Sequence, residues 1–187
     1  GRLSYALGLH GPCASYDTAC SAALVACHSG LRALQLDECP TGLVMAALTV
    51  LLAAPSTSFA IAGMTSARGR CHTFDARADG YARGEACGGV ALRSGVDSAS
   101  IGLDGSAVRQ DGRSASLTAP NGQAQQGLLI AAMSDAATSV DALALNEAHG
   151  TGTSLGDPIE AGSLAGAVLA SRVEPLAVGG VKANIGH

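Results

Sequence analysis

The chain has 187 residues, a formal net charge of -4 and 48% hydrophobic residues, so it can bury a core of domain size. Aromatic residues are only 3%, and no stretch interleaves basic with aromatic side chains, which argues against nucleic acid as a partner. The longest apolar run, residues 42–55, is too short to cross a bilayer, and we expect no membrane association. Apolar residues that are mostly small predict close backbone packing of helices on sheets.

Six cysteines are spread along the chain, and none forms a CxxC pair. This spacing favours neither a disulfide framework nor a zinc site, and we expect no signal peptide before the cysteines. We therefore expect free thiols in a reducing compartment, the cytoplasm, and no metal ion. Because the sequence starts without Met and both ends fall within a pattern, we expect an internal fragment of a longer protein.

The first half of the chain alternates predicted strands and helices. A short apolar segment at residues 3–9 leads to a Gly11-Pro12 turn. Apolar residues occupy almost every side of residues 21–36, a pattern typical of a helix buried all round. The predicted strands of this half are residues 13–16, 42–54 and 85–93.

The second half continues the alternation. Asn121-Gly122 predicts a turn before a helix at residues 123–137. Asp157 followed by Pro158 and Glu160 predicts a second helix that starts with a capping box. The predicted strands of this half are residues 101–108, 140–148 and 176–181. Strands that alternate with helices indicate an α/β fold with a largely parallel central sheet.

Cys20 lies where a predicted strand turns into the predicted buried helix. Asp17 and Thr18 precede it, and both residue types cap helices because their side-chain oxygens accept N–H groups of the first turn. A thiol at the N-terminal end of a helix is favoured as the thiolate, which is the nucleophilic form. Cys20 is therefore a candidate nucleophile, and a buried structural cysteine is the alternative.

Two histidines follow predicted strands and neighbour glycines. His149 follows residues 140–148, and His187 follows residues 176–181. Catalytic groups of open α/β sheets collect at the carboxyl ends of strands. We expect both imidazoles to meet the Cys20 thiol in one crevice. The alternative is that each histidine is a surface residue or a hydrogen-bonded core residue.

Several longer motifs occur in an order that is typical of one family. They are Asp17-Thr18-Ala19-Cys20-Ser21, Glu147-Ala148-His149-Gly150-Thr151-Gly152-Thr153, Gly156-Asp157-Pro158-Ile159-Glu160 and Val181-Lys182-Ala183-Asn184-Ile185-Gly186-His187. With these motifs the chain resembles a β-ketoacyl synthase, in particular the ketosynthase domain of type I modular polyketide synthases. The resemblance extends over essentially the whole sequence.

The resemblance implies a fold and a division of the chain. The fold is a thiolase-like α/β fold with a five-layered α/β/α/β/α core, incomplete here because a full ketosynthase is longer. Residues 1–95, approximately, would form the end of the N-terminal half with the nucleophile. Residues 96–187 would form the start of the C-terminal half with both histidines. The segment after Arg93 is shorter than is usual in the family, which predicts a trimmed loop between the halves.

The resemblance also implies a role for each reacting group. Cys20 would accept an acyl chain as a thioester from the phosphopantetheine arm of an acyl carrier protein. His149 and His187 would act on a malonyl-type extender, because two neutral imidazoles can donate hydrogen bonds to the enolate left by decarboxylation. Attack of that carbanion on the Cys20 thioester would give a β-ketoacyl product.

Four further residues match supporting positions of the family. Lys182 matches the lysine that precedes the second histidine, and Glu160 matches its acidic partner. Thr151 and Thr153 match threonines that contact the pantetheine arm. The alternatives are a solvated charge at a strand end for Lys182, the capping box for Glu160, and loop hydroxyls that satisfy backbone groups for the threonines.

The resemblance implies a set of partners. These are an acyl carrier protein, neighbouring polyketide synthase domains such as an acyltransferase, and a second copy in a homodimer. No cofactor would be bound directly, since phosphopantetheine carries the substrates. The alternatives are a fatty-acid β-ketoacyl synthase and a non-elongating or inactive ketosynthase that holds an acyl chain. The presence of His149 argues against the second alternative.

Overall fold

The computed structural model describes residues 1–95 and 101–187. Two compact units make up the chain, Gly1–Leu48 with Ala86–Leu103 and Thr49–Glu85 with Asp104–His187. The predicted division between residues 95 and 96 and the predicted trimmed loop involve residues that lie outside the described ranges. Both stay predictions.

An antiparallel strand pair and a helix form the framework of the first unit. The strands β1 (Thr41–Leu48) and β2 (Ala86–Arg93) pair along their whole length. The first helix, α1, is Arg2–Leu7, and the second, α2 (Ala22–Gln35), packs against both strands. Gly30 permits this approach, because a Cβ there would lie 3.0 Å from the Val44 side chain. The predicted close packing of a helix on a sheet is confirmed here.

Three details of the first unit differ from the prediction. Residues 13–16 have no strand partner, so the predicted strand before Cys20 is wrong. Ser21, rather than Asp17 or Thr18, precedes α2, and no side-chain hydrogen bond caps that helix within the described residues. Of the α2 residues only Ala33 and Leu34 are buried, so the prediction of a helix buried all round is wrong. Small apolar residues give too little contrast for the sequence to show how much of a helix is covered.

A parallel strand pair and several helices form the second unit. The strands β3 (Leu145–Glu147) and β4 (Ala177–Gly179) are parallel. The helices are α3 (Ala53–Ile61), α4 (Gly122–Asp135), α5 (Gly156–Ala167) and α6 (Lys182–Ile185). Helix α4 begins after Asn121, whose side-chain oxygen accepts the N–H groups of Gln123 and Ala124. It packs against α5, where the buried Ser163 hydroxyl donates to the Gly122 carbonyl oxygen at 3.1 Å.

Several predicted strands are shorter than expected or are not formed. The predicted strand at residues 101–108 is not formed, and β1, β3 and β4 are shorter than their predicted segments. The expected parallel pairing holds for β3 and β4, whereas β1 and β2 are antiparallel. Side chains alternate in the same way in both arrangements, so the sequence pattern does not distinguish them.

Residues 1–95 and 101–187 contain no helix with the length and apolar character that crossing a membrane requires. They also contain no group of three or more His, Cys, Asp or Glu side chains that could hold a metal ion.

Candidate active site

The parallel pairing of β3 and β4 brings two loops together at one edge of the second unit. The pairing continues beyond β3, where the Ala148 amide donates to the Gly179 carbonyl oxygen at 3.0 Å. Because parallel strands end at the same edge of a sheet, the loops that follow them are neighbours. His149 comes two residues after the end of β3, and α6, which begins at Lys182, leads to His187.

The two imidazole rings lie next to each other. The ring centroids of His149 and His187 are 5.2 Å apart, and the ring planes are at 88°. The backbone of His187 is held on both sides, since its N–H donates to the Ala82 carbonyl at 2.7 Å and its carbonyl accepts the Gly84 N–H at 2.8 Å. The predicted proximity of the two histidines is therefore confirmed.

The surroundings favour the neutral form of both imidazoles. Partial burial lowers the pKa of His187 to about 4, and neighbouring charges, His149 first and then Lys182, act in the same direction. The His149 residue as a whole is exposed to solvent. The atoms packed around its ring nevertheless desolvate the imidazole enough to lower its pKa. Lys182 lowers that pKa further, whereas the carboxylates of Glu160 and Asp157 raise it. A neutral imidazole still has one N–H to donate.

Glu160 binds the backbone of the loop after β3 instead of capping its own helix. Its carboxylate oxygens accept the N–H groups of His149 at 2.6 Å and Gly150 at 2.8 Å. The predicted capping box is wrong, because α5 begins at Gly156, whose N–H is bound by the Thr153 hydroxyl at 3.1 Å. Glu160 thus fixes the backbone of the residue whose side chain is a candidate for catalysis.

Asp157 binds three backbone N–H groups, a role that was not predicted from the sequence. Its side chain is only 3% exposed, and one carboxylate oxygen accepts the N–H groups of Gly152 and Thr153, both at 3.1 Å. The other oxygen accepts the N–H of Phe74 at 2.8 Å. One buried carboxylate therefore ties the loop after β3 to a distant segment of the chain. The available signal was an acidic residue soon after the Gly-Thr-Gly-Thr run.

A second carboxylate that the sequence reasoning missed supports the loop after β4. Glu147 is the last residue of β3, and its side chain accepts the N–H of Val181 at 2.7 Å. Val181 directly precedes α6. The two loops that carry the histidines are thus each held by a glutamate whose carboxylate binds backbone N–H groups.

Replacing Asp157 by alanine is expected to lower the free energy of unfolding by about 3 kcal/mol, because three backbone N–H groups lose their acceptor. Asp157→Asn keeps an amide oxygen as acceptor and is expected to lose less. Denaturant unfolding followed by circular dichroism measures both changes. The matched control is Asp104→Ala at an exposed position, with an expected change within about 0.5 kcal/mol. An Asp157→Ala loss no larger than the control's would contradict the tethering role.

The two threonines predicted to bind pantetheine differ in exposure. Thr151 is 7% exposed, whereas Thr153 is half-buried and its hydroxyl accepts the Gly156 N–H. Thr153 also lines a recess of about 390 Å³ together with Phe74 and Pro158. The hydrogen bond of Thr153 agrees with the alternative that loop hydroxyls satisfy backbone groups. Contact of either threonine with a pantetheine arm stays a prediction.

Cys20 lies in the first unit, in a 3-10 turn (Ala19–Ser21) directly before α2. Ala19 has a φ of 52°, a left-handed conformation that is strained for a residue with a Cβ. The turn is closed by the Ser21 hydroxyl, which donates to the Thr18 carbonyl oxygen at 2.9 Å. Cys20 is exposed, so the buried structural alternative is wrong. Its convergence with the two histidines stays a prediction.

Two family models together match nearly the whole chain. The model "Beta-ketoacyl synthase, N-terminal domain" matches residues 1–98. The model "Beta-ketoacyl synthase, C-terminal domain" matches residues 100–187.

Much longer polyketide synthases are similar to the chain over its full length. One of the phenolphthiocerol/phthiocerol polyketide synthase proteins of Mycobacterium tuberculosis is 45% identical over 195 residues, and the chain covers 9% of that protein. Highly reducing polyketide synthase 40 of Fusarium mangiferae is 45% identical over 196 residues, of which the chain covers 8%.

Solved ketosynthase structures are similar to the whole chain as well. An oxazolomycin ketosynthase domain from Streptomyces albus matches with a TM-score of 0.93 at 32% identity. The module 6 ketosynthase of the bacillaene synthase from Bacillus subtilis matches with a TM-score of 0.92 at 34% identity. The chain covers 35% of each of these structures. The thiolase-like α/β fold and the resemblance to polyketide ketosynthase domains are thereby confirmed, and the chain belongs to the β-ketoacyl synthase family.

Proposed function

We propose that the protein containing this chain catalyses a decarboxylative Claisen condensation in polyketide biosynthesis. An acyl chain bound to Cys20 would react with a malonyl-type extender on an acyl carrier protein and give a β-ketoacyl thioester. The observation that carries the proposal is the pair of imidazoles, 5.2 Å apart and both in surroundings that lower their pKa, in a chain of the β-ketoacyl synthase family.

The first step would load the acyl chain. The Cys20 thiolate attacks the carbonyl carbon of the incoming acyl thioester, and the carrier's phosphopantetheine thiolate leaves. The exposed position of Cys20 and its place before the N-terminus of α2 support this role. The strained turn at Ala19 presents the residue at the start of the helix.

The second step would generate and use a carbanion. When the malonyl C–C bond breaks, CO2 leaves and the electron pair forms an enolate whose oxygen accepts hydrogen bonds from His149 and His187. The enolate carbon then attacks the Cys20 thioester, and the Cys20 thiolate leaves. Neutral imidazoles suit this role because they donate without transferring a proton to the enolate. The charge of Lys182 supports it by lowering the pKa of both rings.

Supporting roles follow from the backbone contacts of the acidic residues. Glu160 would hold the His149 loop in position through two N–H groups. Thr151 and Thr153 would contact the pantetheine arm, and the recess beside Thr153 is large enough to receive part of an extended chain.

The partners that we propose are the ones the family requires. They are an acyl carrier protein, neighbouring synthase domains such as an acyltransferase, and a second copy in a homodimer, all in the cytoplasm. No cofactor besides the carrier's phosphopantetheine arm is proposed. The support is that the similar proteins are named as polyketide synthases.

The test is reconstitution of the full-length protein with an acyl-pantetheine thioester and malonyl-loaded acyl carrier protein. We expect a β-ketoacyl thioester on the carrier, detected by mass spectrometry, together with one CO2 for each product. If an acyl-enzyme accumulates without release of CO2, the protein is an acyl-holding ketosynthase and the proposal fails.

A further inference from the structure

A third ring extends the pair of histidines. Tyr81 packs against His187 with ring centroids 5.3 Å apart and ring planes at 88°. This is nearly the same edge-to-face geometry as between His187 and His149. The His187 ring therefore contacts two other rings, one from the loop after β3 and one from a segment far away in the sequence.

The backbone around Tyr81 is fixed on both sides. Its N–H donates to the Met64 carbonyl at 3.1 Å, and its carbonyl accepts the Ser66 N–H at 2.9 Å. The preceding Gly80 has a φ of 132°, and a Cβ there would lie 2.6 Å from the backbone carbon of Thr65. Only glycine suits a position with that φ and that approach. The backbone that carries the Tyr81 ring is therefore fixed in position.

The same segment is tied to the loop that carries His149. The Gly80 N–H donates to the Gly152 carbonyl at 3.0 Å. Directly after the tyrosine, Ala82 and Gly84 hold the backbone of His187. One segment thus contacts the backbone of both histidine loops and also supplies the ring that lies against one imidazole.

We propose that Tyr81 is a positioning residue for His187, whose ring fixes the plane of the imidazole and keeps water from that side of it. The importance of Tyr81 for catalysis rests on the proposed function. The contact between the Tyr81 and His187 rings does not depend on it. The observed contact joins the two rings, and phenylalanine in place of Tyr81 would keep it.

The charges around His187 determine what loss of the ring would do. His149, Lys182 and Arg83 face it, and all three oppose its protonation. Arg83 is itself placed over the Phe59 ring, with its guanidinium carbon 5.0 Å from the ring centroid. These charges would remain in a Tyr81 variant, whereas part of the burial that lowers the pKa of His187 would be lost.

Removing the ring is therefore expected to raise the pKa of His187 from about 4 towards its ordinary value of about 6.5. A raised pKa means that the imidazole becomes protonated at a higher pH as acid is added. A reaction that needs neutral His187 would then decline at a higher pH in the variant than in the wild type.

The experiment compares Tyr81→Ala, Tyr81→Phe and the wild type in the full-length protein. The pH dependence of histidine modification by diethyl pyrocarbonate, mapped to His187 by mass spectrometry, reports the neutral fraction without any substrate. We expect the midpoint to rise by about 1 pH unit in Tyr81→Ala and to stay unchanged in Tyr81→Phe. His10, an exposed histidine, is the internal reference.

The matched control is Tyr5→Ala, which removes a tyrosine that is 92% exposed and should leave the midpoint unchanged. If Tyr81→Ala is not recovered as a folded protein, Tyr81→Leu replaces it. Leucine covers less of the imidazole than the tyrosine ring does, so a rise in the same direction, smaller than in Tyr81→Ala, is expected. An unchanged midpoint in the alanine or leucine variant, or an equal rise in Tyr81→Phe, would overturn the inference.

Release of CO2 from malonyl-loaded carrier protein separates this inference from the proposed function. In Tyr81→Ala, with a pKa of His187 raised by about 1 unit, we expect its kcat to fall about twofold more at pH 5 than at pH 8, where His187 is neutral in every variant. A wild type that releases no CO2 would refute the proposed function, whereas the modification midpoint would still decide the role of Tyr81.

Discussion

Replacing Cys20 by alanine is expected to abolish transfer of an acyl chain to the protein. The thiolate forms the bond to the acyl carbon, and alanine has no group that can take its place, so we expect a loss of at least ~10³-fold. The measurement is incubation of the full-length protein with an acyl-pantetheine thioester, followed by intact mass and peptide mapping. In the wild type the added mass should map to Cys20 alone.

The matched control is Cys27→Ala, which removes a half-buried thiol within α2, the helix that follows Cys20. Acylation of this variant should equal that of the wild type. Labelling that persists in Cys20→Ala, or that spreads over Cys13 and Cys87, would show that Cys20 is not specifically activated. Both of those thiols are exposed, so they are sensitive reporters of non-specific reaction.

The position of the two histidines could be predicted from the sequence because it depends on local patterns. Each follows a strand and stands beside glycine, and parallel strands end at a common edge. The family motifs fixed which histidines to consider. The position of Cys20 just before a helix was likewise predictable. The strained Ala19 and the missing side-chain cap were not, since propensities describe averages and not a particular turn.

The contacts of Asp157 and Glu160 could not be predicted in the same way. In the sequence both residues fit a capping box, which is a local arrangement, and tertiary contacts with the loop after β3 replace it. The partner Phe74 is 83 residues away in the sequence, and no local pattern relates the two. The ring contact of Tyr81 with His187 likewise depends on how two distant segments pack.

Two predicted strands, at residues 13–16 and 101–108, are not formed, and the reason is related. Residues 13–16 and 101–108 are short segments with some apolar residues, and a strand forms only where a neighbour offers its backbone groups. Short apolar segments of this kind do not show whether such a neighbour exists. The helices α2 and α4, which satisfy most of their hydrogen bonds internally, were predicted within a few residues of their ends.

Replacing His187 by alanine is expected to lower the rate of CO2 release from malonyl-loaded carrier protein by about 10²–10³-fold, the usual cost of removing one donor to a developing oxyanion. The remaining imidazole of His149 accounts for the residual rate. In the wild type, protonation of His187 should not lower the rate as the pH falls from 8 to 6, because a group with a pKa of about 4 stays neutral over that range.

Measuring acyl transfer and CO2 release separately tests the role of His187 in the second of these reactions. Acyl transfer to Cys20 should remain within a few-fold of the wild type in His187→Ala, since that step requires the thiolate and not the enolate. The control is His10→Ala, which removes an exposed histidine from the first unit and should change neither rate. Equal losses of acyl transfer and CO2 release in His187→Ala would mean that the substitution disturbs the protein as a whole. Release of CO2 within threefold of the wild type would remove His187 from the mechanism and leave His149 to stabilise the enolate without it.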